Sequence, residues 1–155
     1  MKISPVINDL FCKQFNNLEK MKDNSKINIK MDSIEFYLHI SNERKIVELQ
    51  REFNSHFPYL KIEFFKVAHK IGEGTPKMTV FSEGRLIADC RILKNEGDIF
   101  IHDGLLVSNF EIEFFEKYGL SVQVFRKVGK VWLETSATDN WSLKAQNKEG
   151  RELAL

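Results

Sequence analysis

The sequence predicts an α+β fold in which one strand-helix-strand unit is used twice. Apolar residues alternate with polar ones in short segments, which is typical of strands, and recur every three or four residues in the longer segments between them, which is typical of helices. The same order of segments occurs twice along the chain. We therefore expect two copies of one unit within a single domain of 155 residues.

The first unit is predicted to start with a strand that ends at Ile40, where Ser41 is suited to cap the following helix. Pro58 ends that helix, because proline cannot continue it. A returning strand follows. The apolar residues that carry this pattern are Phe36, Leu38 and Ile40, then Ile46, Leu49, Phe53 and Phe57, and finally Leu60, Ile62 and Phe64.

The second unit repeats the pattern with the same spacing in its helix. Ser108 and Glu111 have the separation of a capping box, and Gly119 is suited to end the helix. The apolar residues are Ile99 and Ile101, then Val107, Phe110, Phe114 and Tyr118, and finally Leu120, Val122 and Val124.

Two such units must each cover one apolar helix face. Packing both helices on one side of a shared sheet does so, and the element order then resembles ferredoxin-like, split βαβ domains. The alternative is that the halves fold separately in a β-grasp-like manner. A sheet with an aromatic face could be buried by its own helices or by a second copy of the chain.

The remaining segments complete one predicted domain over 1–155. Its parts are an N-terminal helix in 1–22 (Pro5 to Met21), the first unit in 27–66, a loop and hairpin in 67–97, and the second unit, a hairpin and a short C-terminal helix in 98–150. The first predicted hairpin pairs 78–81 with 85–93, and the second pairs 121–127 with 131–136. The last helix is predicted to start near Asp139 and to close at Gly150.

Composition bounds the compartment and the partners. Lys and Arg number 23 against 22 Asp and Glu, so no overall field attracts a polyanion. Cys12 and Cys90 lie in apolar segments far apart in the chain, which favours buried, reduced thiols and a cytoplasmic protein. We find neither a signal-peptide pattern nor a run long enough to span a membrane.

Motifs for common chemistry are weak or missing, and we expect no cofactor and no metal. Gly72 and Gly74 lack the third glycine of a dinucleotide loop and the ending of a phosphate loop. The four histidines do not have a zinc-ligand spacing. His102 and Asp103 follow a predicted strand and are a candidate proton-transfer pair, although a polar turn before Gly104 is the interpretation that we favour.

The candidate binding residues lie near the C-terminal hairpin. Arg126, Lys127 and Lys130 flank two aromatic residues, Phe125 and Trp132, and such a combination can hold phosphates and stack bases. Two tryptophans among polar groups are typical of recognition surfaces. That second cluster consists of Trp132, Glu134, Asp139 and Trp141. Ordinary packing of the rings, with the cations in solvent, is the structural alternative.

Three functions remain open from the sequence. The first is a non-enzymatic binding or regulatory module that uses the Trp-rich surface to bind a protein partner or a second copy of the chain. The second is a single-stranded nucleic-acid binder that uses the basic hairpin. The third is a small enzyme that uses His102 and Asp103, with Glu134 or Asp139 brought close by the fold.

Overall fold

A computed structural model describes residues 33–66 and 80–154, and it confirms the α+β class. The elements are β1 (Glu35–Ile40), α1 (Ile46–His56), β2 (Leu60–Phe65), β3 (Gly97–His102), α2 (Val107–Tyr118), β4 (Ser121–Val128), β5 (Val131–Glu134) and α3 (Leu143–Leu153), with 3₁₀ helices at Ile87–Asp89 and Ser136–Thr138. Several predictions lie outside the described residues, namely the helix in 5–21, the start of the first unit in 27–32, Cys12 and the glycines at 72 and 74. From Ser33 onward the described residues belong to one compact unit, and the single domain over 1–155 stays a prediction.

The strands form two antiparallel sheets instead of the single shared sheet that we expected. β1 pairs with β3, and the second sheet has the order β2-β4-β5. Each sheet therefore combines strands from both units. Hydrophobic periodicity predicts which side chains face a core, but it carries no information about which strand edges meet, and this explains the error.

Helices α1 and α2 lie where the three- and four-residue spacing predicts, but neither begins with the side-chain cap that we predicted. α1 follows Lys45, whose backbone N–H donates to Glu48 Oε2 over 2.6 Å, so Ser41 is not its cap. The capping box predicted for α2 is also wrong, because the Glu111 carboxylate is buried and accepts the Val124 N–H over 3.0 Å. Gly119 ends α2 as predicted, with a φ of 63° that favours glycine.

Distant loops, through their backbone carbonyls, cap the first N–H groups of α1 and α2 in the same way. The hydrogen bonds are Ile46 N to Arg85 O (3.0 Å) and Val47 N to Glu83 O (3.0 Å) at α1, and Val107 N to Trp141 O (3.0 Å) and Ser108 N to Asp139 O (2.8 Å) at α2. Isolated bridges next to them pair Lys45 with Leu86 and Leu106 with Ser142. The free donors of both helix starts are thus satisfied by equivalent backbone geometry.

Aromatic rings join the two units in one core. Phe53 of α1 and Phe110 of α2 have ring centroids 5.3 Å apart, and Phe64 of β2 meets Phe114 edge-on at 6.0 Å. All four side chains are buried. The predicted core face of each helix is therefore confirmed.

Two smaller predictions need correction. Residues 85–93 form no strand: Ile87–Asp89 is a 3₁₀ helix, and Val80 makes only an isolated bridge to Phe65. The C-terminal helix is capped by Ser142, whose Oγ accepts the Ala145 N–H, and it runs through Gly150 instead of ending there. No helix in the described part of the chain combines the length and apolar character needed to cross a membrane.

Candidate functional site

The β4–β5 hairpin divides the predicted site between two faces of its sheet. Lys127 lies opposite Trp132 in the ladder, and Arg126 lies opposite Leu133. Since side chains alternate along a strand, Arg126 is on the other face from Lys127 and Trp132. Lys130 is exposed in the turn between the strands. The structure therefore does not bring the predicted cations together.

Arg126 has a structural role on its face. Its Nη1 donates to Gln146 Oε1 of α3 over 2.8 Å, and its guanidinium carbon lies 5.9 Å from the ring centroid of Trp141. Gln146 is buried and also donates to the Thr138 carbonyl over 2.7 Å. Arg126 thus holds α3 against β4, and its Nη1 donor is already engaged inside the protein.

Asp139 and Glu134 also differ from the expected cluster. The Asp139 carbonyl caps α2 through Ser108, so the backbone of this residue is part of the fold. Glu134 lies opposite Phe125 in the β4–β5 ladder, on the same face as Trp132. Trp141 is 39% exposed on the other side of the hairpin.

Trp132 is the predicted site residue with the most suggestive surroundings. Its ring centroid lies 5.6 Å from Lys61 Nζ and 6.0 Å from Lys127 Nζ. Lys61 Nζ also lies 5.2 Å from the ring centroid of Phe125, which is only 7% exposed. Phe125 therefore belongs to the interior, whereas the half-buried Trp132 remains accessible.

An open groove of about 370 Å³ separates α1 from the face that carries Trp132. Its walls include Gln50, Arg51 and Asn54 of α1, Lys61 and Glu63 of β2, and Trp132 of β5. Gln50 Nε2 donates to the Ile62 carbonyl over 2.9 Å, and Asn54 Nδ2 donates to the Leu60 carbonyl over 2.7 Å. These two amides hold α1 against the edge of β2 and so set the width of the groove.

The charges in the groove are mixed. Lys61 Nζ pairs with Glu63 Oε1 over 2.6 Å, and Glu83 also lines the groove. Arg51 is exposed and has no ion pair within the described ranges. An aromatic wall beside an exposed guanidinium suits a ligand with a planar group next to a negative charge.

His102 and Asp103, the proposed proton-transfer pair, have different partners in the structure. Asp103 Oδ2 accepts a hydrogen bond from Lys144 Nζ over 2.9 Å, while the His102 ring lies 5.6 Å from the Phe100 ring. Neither His102 nor Asp103 lines the Trp132 groove. Among residues 33–66 and 80–154, no group of three His, Cys, Asp or Glu side chains could hold a metal ion. The geometry gives no support to catalysis by His102 and Asp103.

A second groove, of about 380 Å³, is more apolar. Phe65, Phe81 and Phe115 line it beside Cys90 and Arg91. Cys90 is a free, buried thiol, and burial raises its pKa above the usual range. Burial likewise lowers the pKa of the Arg91 guanidinium from its usual value. Because a buried thiol is a poor nucleophile, this groove does not favour covalent chemistry at Cys90.

Sequence reasoning missed the α1 and β2 side of the Trp132 groove. Lys61 meets Trp132 only because β2 pairs with β4, and Arg51 approaches only because α1 packs along β2. Strand pairing over long sequence distances could not be read from local patterns. No family model, curated protein or solved structure matches the chain.

Proposed function

We propose that the chain is a non-enzymatic binding module whose site is the Trp132 groove. The observation that supports this proposal is the accessible Trp132 ring, with two ammonium groups about 6 Å away and, on the same groove, the exposed Arg51, which has no ion pair among the described residues. A groove of about 370 Å³ is in the size range of small-ligand sites. Its lining favours recognition of a planar, anionic group over catalysis.

Single-stranded nucleic acid is the ligand that this combination favours. Bases stack on exposed aromatic rings in a sequence-tolerant manner, and Lys and Arg hold the phosphates. Trp132 supplies the ring, and Arg51 and Lys127 supply cations that extend beyond it. The Lys61–Glu63 ion pair is more shielded from solvent than the exposed Arg51. We therefore assign it a structural role in the site and not a role in holding phosphates.

Binding of a fluorescein-labelled oligo(dT) of twelve nucleotides tests the function. We expect Trp132→Ala to weaken binding roughly fivefold to a hundredfold, because one base stack contributes ~1–3 kcal/mol. Trp141→Ala is the matched control, since Trp141 lies on the other side of the hairpin, and it should leave the affinity within about twofold. Fluorescence anisotropy at several salt concentrations measures both.

Salt dependence provides the second readout. Each phosphate contact on a single strand contributes a slope of about −0.7 in the plot of log affinity against log salt. Arg51→Ala should make that slope shallower by about this amount. An affinity that does not depend on salt concentration, or that falls equally in the Trp132 and Trp141 variants, would contradict nucleic-acid recognition in the groove.

A protein partner on the opposite hairpin face is the second candidate. Val131, Leu133 and Trp141 are exposed there around Arg126, and tryptophan is enriched where proteins meet. A nuclease-resistant partner captured by the wild-type chain and by Trp132→Ala, but lost with Leu133→Ser, would favour this candidate. The same partner captured by Leu133→Ser would remove it.

We also propose that the two units arose by duplication. The equivalent carbonyl caps at the starts of α1 and α2 and the identical spacing of their core residues support this. The antiparallel pairing of β1 with β3 fits a ferredoxin-like origin, whereas the separate β2-β4-β5 sheet departs from it.

We keep the cytoplasm as the proposed compartment, because the buried free thiol of Cys90 suits a reducing environment.

A further inference from the structure

The β1–β3 ladder carries aromatic side chains on its outer face. We call this outer surface the β1–β3 face; it consists of the cross-strand pairs Glu35 with His102, Tyr37 with Phe100, and His39 with Asp98. Tyr37 is 66% exposed and Phe100 is 42% exposed, with ring centroids 5.1 Å apart. Of the residues between them along each strand, Leu38, Ile99 and Ile101 are buried and Phe36 is partly buried against the core. Two adjacent rings therefore remain in water, although the fold has a core beneath them.

The chemistry of this face repeats in both strands. β1 reads acid, aromatic and histidine at alternate positions, as Glu35, Tyr37 and His39, and β3 reads the same way, as Asp98, Phe100 and His102. The antiparallel register places the two rings opposite each other and puts each acid opposite a histidine. The β1–β3 face is thus two-fold symmetric in the type of side chain that it presents.

We propose that the β1–β3 face is a self-association surface that packs against the same face of a second copy of this chain. Two copies can meet face to face about a two-fold axis that runs along the strands or across them. In both cases the aromatic pair of one copy covers the aromatic pair of the other. In both cases, too, every acid of one copy lies opposite a histidine of the other. This complementarity follows from the register alone.

Acid–histidine contacts suit this interface whether or not the imidazole carries a charge. A carboxylate accepts from a neutral ring N–H and from a charged one. The chain already contains one such contact, since His39 Nδ1 and Asp98 Oδ1 are 2.8 Å apart. Buried aromatic pairs add attraction beyond the area that they bury. The face therefore combines an apolar centre with polar contacts at its corners.

A second copy fits this face better than a nucleic acid does. Glu35 and Asp98 are exposed carboxylates that would repel phosphates, and no Lys or Arg side chain belongs to the face. The surface is also separate from the Trp132 groove, which is formed by α1, β2 and β5. Self-association and groove binding can accordingly succeed or fail independently.

The dimer is expected to be transient. Two strands of six residues present a face about 20 Å long and about 10 Å wide by ordinary strand spacings, well below the ~800 Å² per partner of a stable interface. Sedimentation velocity on the full chain from about 10 μM to about 1 mM should show a monomer that converts to a dimer in fast exchange. A monomer over the whole range would overturn the proposal.

Surface variants locate the contact. We expect Tyr37→Ser or Phe100→Ser to weaken dimerisation about tenfold or more, because each removes an exposed ring from the centre of the face. Ile92→Ser is the matched control, since Ile92 is 95% exposed and lies outside the face, and it should dimerise like wild type. Equal loss in the control, or no loss in either ring variant, would overturn the assignment.

Charge complementation separates a lost contact from a damaged fold. One variant carries Glu35→Lys with Asp98→Lys, and the other carries His39→Asp with His102→Asp. Each alone should remain monomeric, because the first variant sets Lys opposite His with no carboxylate on the face and the second sets carboxylate opposite carboxylate, whereas their mixture sets every Lys and every His opposite a carboxylate and should form a heterodimer. A mixture that stays monomeric while both variants keep the wild-type circular dichroism would overturn the proposal. The Trp132→Ala variant should dimerise normally, which keeps this test independent of groove binding.

Discussion

Burial controls the chemistry of Cys90. Its side chain lies in the core cluster, and its Sγ donates to the Leu86 carbonyl over 3.3 Å. A thiolate there would lose its hydration, so burial raises the pKa of the Cys90 thiol, and the nearby Arg85 offsets only part of this. Because the thiolate is the nucleophile, Cys90 is protected from alkylation and oxidation at neutral pH.

We predict slow alkylation of Cys90 and an alkaline loss of stability. In a Cys12→Ser chain at pH 7, iodoacetamide should label the folded protein at least tenfold more slowly than the urea-unfolded protein. The unfolded thiol titrates near 9.0, so above that pH the unfolded chain releases its proton first and the free energy of unfolding falls. Adding Cys90→Ala should remove that part of the pH dependence. Labelling at the unfolded rate would contradict the prediction.

For single residues, the sequence predicts which residues lie near the site better than it predicts which side chains they contact. Lys127 and Trp132 were expected together and lie together, because they face each other in one hairpin. Arg126 was expected beside them but faces the other way, because neighbouring side chains of a strand point to opposite faces of the sheet. Glu111 was expected in a capping box with Ser108, but its carboxylate is buried and accepts from the β4 backbone, which depends on how α2 packs.

Close backbone approach governs the packing of α3. A Cβ atom at Gly150 would lie 2.8 Å from the Tyr59 Cβ and 3.1 Å from the Arg126 Cγ. The sequence suggested that this glycine ends the helix, since glycine is common there. Its actual position inside α3 reflects a tertiary constraint that local propensity does not contain. Helices α1 and α2 were predicted well, because their hydrophobic periodicity is a local property of the sequence.

Gly150→Ala should therefore destabilise the protein. Alanine favours a helix interior by ~1 kcal/mol over glycine, but overpacking against Tyr59 costs about 1–3 kcal/mol, so we expect a net loss of up to about 2 kcal/mol. Lys148→Ala is the control, as Lys148 is exposed on the same helix, and it should change stability by less than about 0.5 kcal/mol. Urea denaturation measures both, and a stabilised Gly150 variant would contradict this packing.

The two units share one core and both sheets. Phe53 and Phe110 bring the helices together, while β1–β3 and β2–β4 join strands from opposite halves of the chain. The class of the fold and the repeated element order could be predicted because each depends on local patterns. The order of the strands in the sheets could not be predicted, because it depends on which distant strand edges pair. The groove could not be predicted either, because it forms between elements that this pairing brings together.

We expect one cooperative unfolding transition for the two units together. Phe53→Ala in the first unit and Phe114→Ala in the second should each lower the free energy of unfolding by about 3–5 kcal/mol. Both should move the same transition whether it is followed by far-UV circular dichroism or by tryptophan fluorescence, although both tryptophans lie in the second unit. Two separate transitions, with Phe53→Ala silent in the fluorescence, would show that the units fold independently.

The pairing of β1 with β3 and of β2 with β4 also makes the halves of this chain interchangeable between molecules. A half supplied by another copy presents the same edges and can complete the same ladders, which is the condition for domain swapping. It follows as well that a chain cut between Lys66 and Val80 would leave two pieces with incomplete sheets, each of which the other completes. The fold is thus suited to serve as a split reporter, in which signal appears only when the two pieces meet.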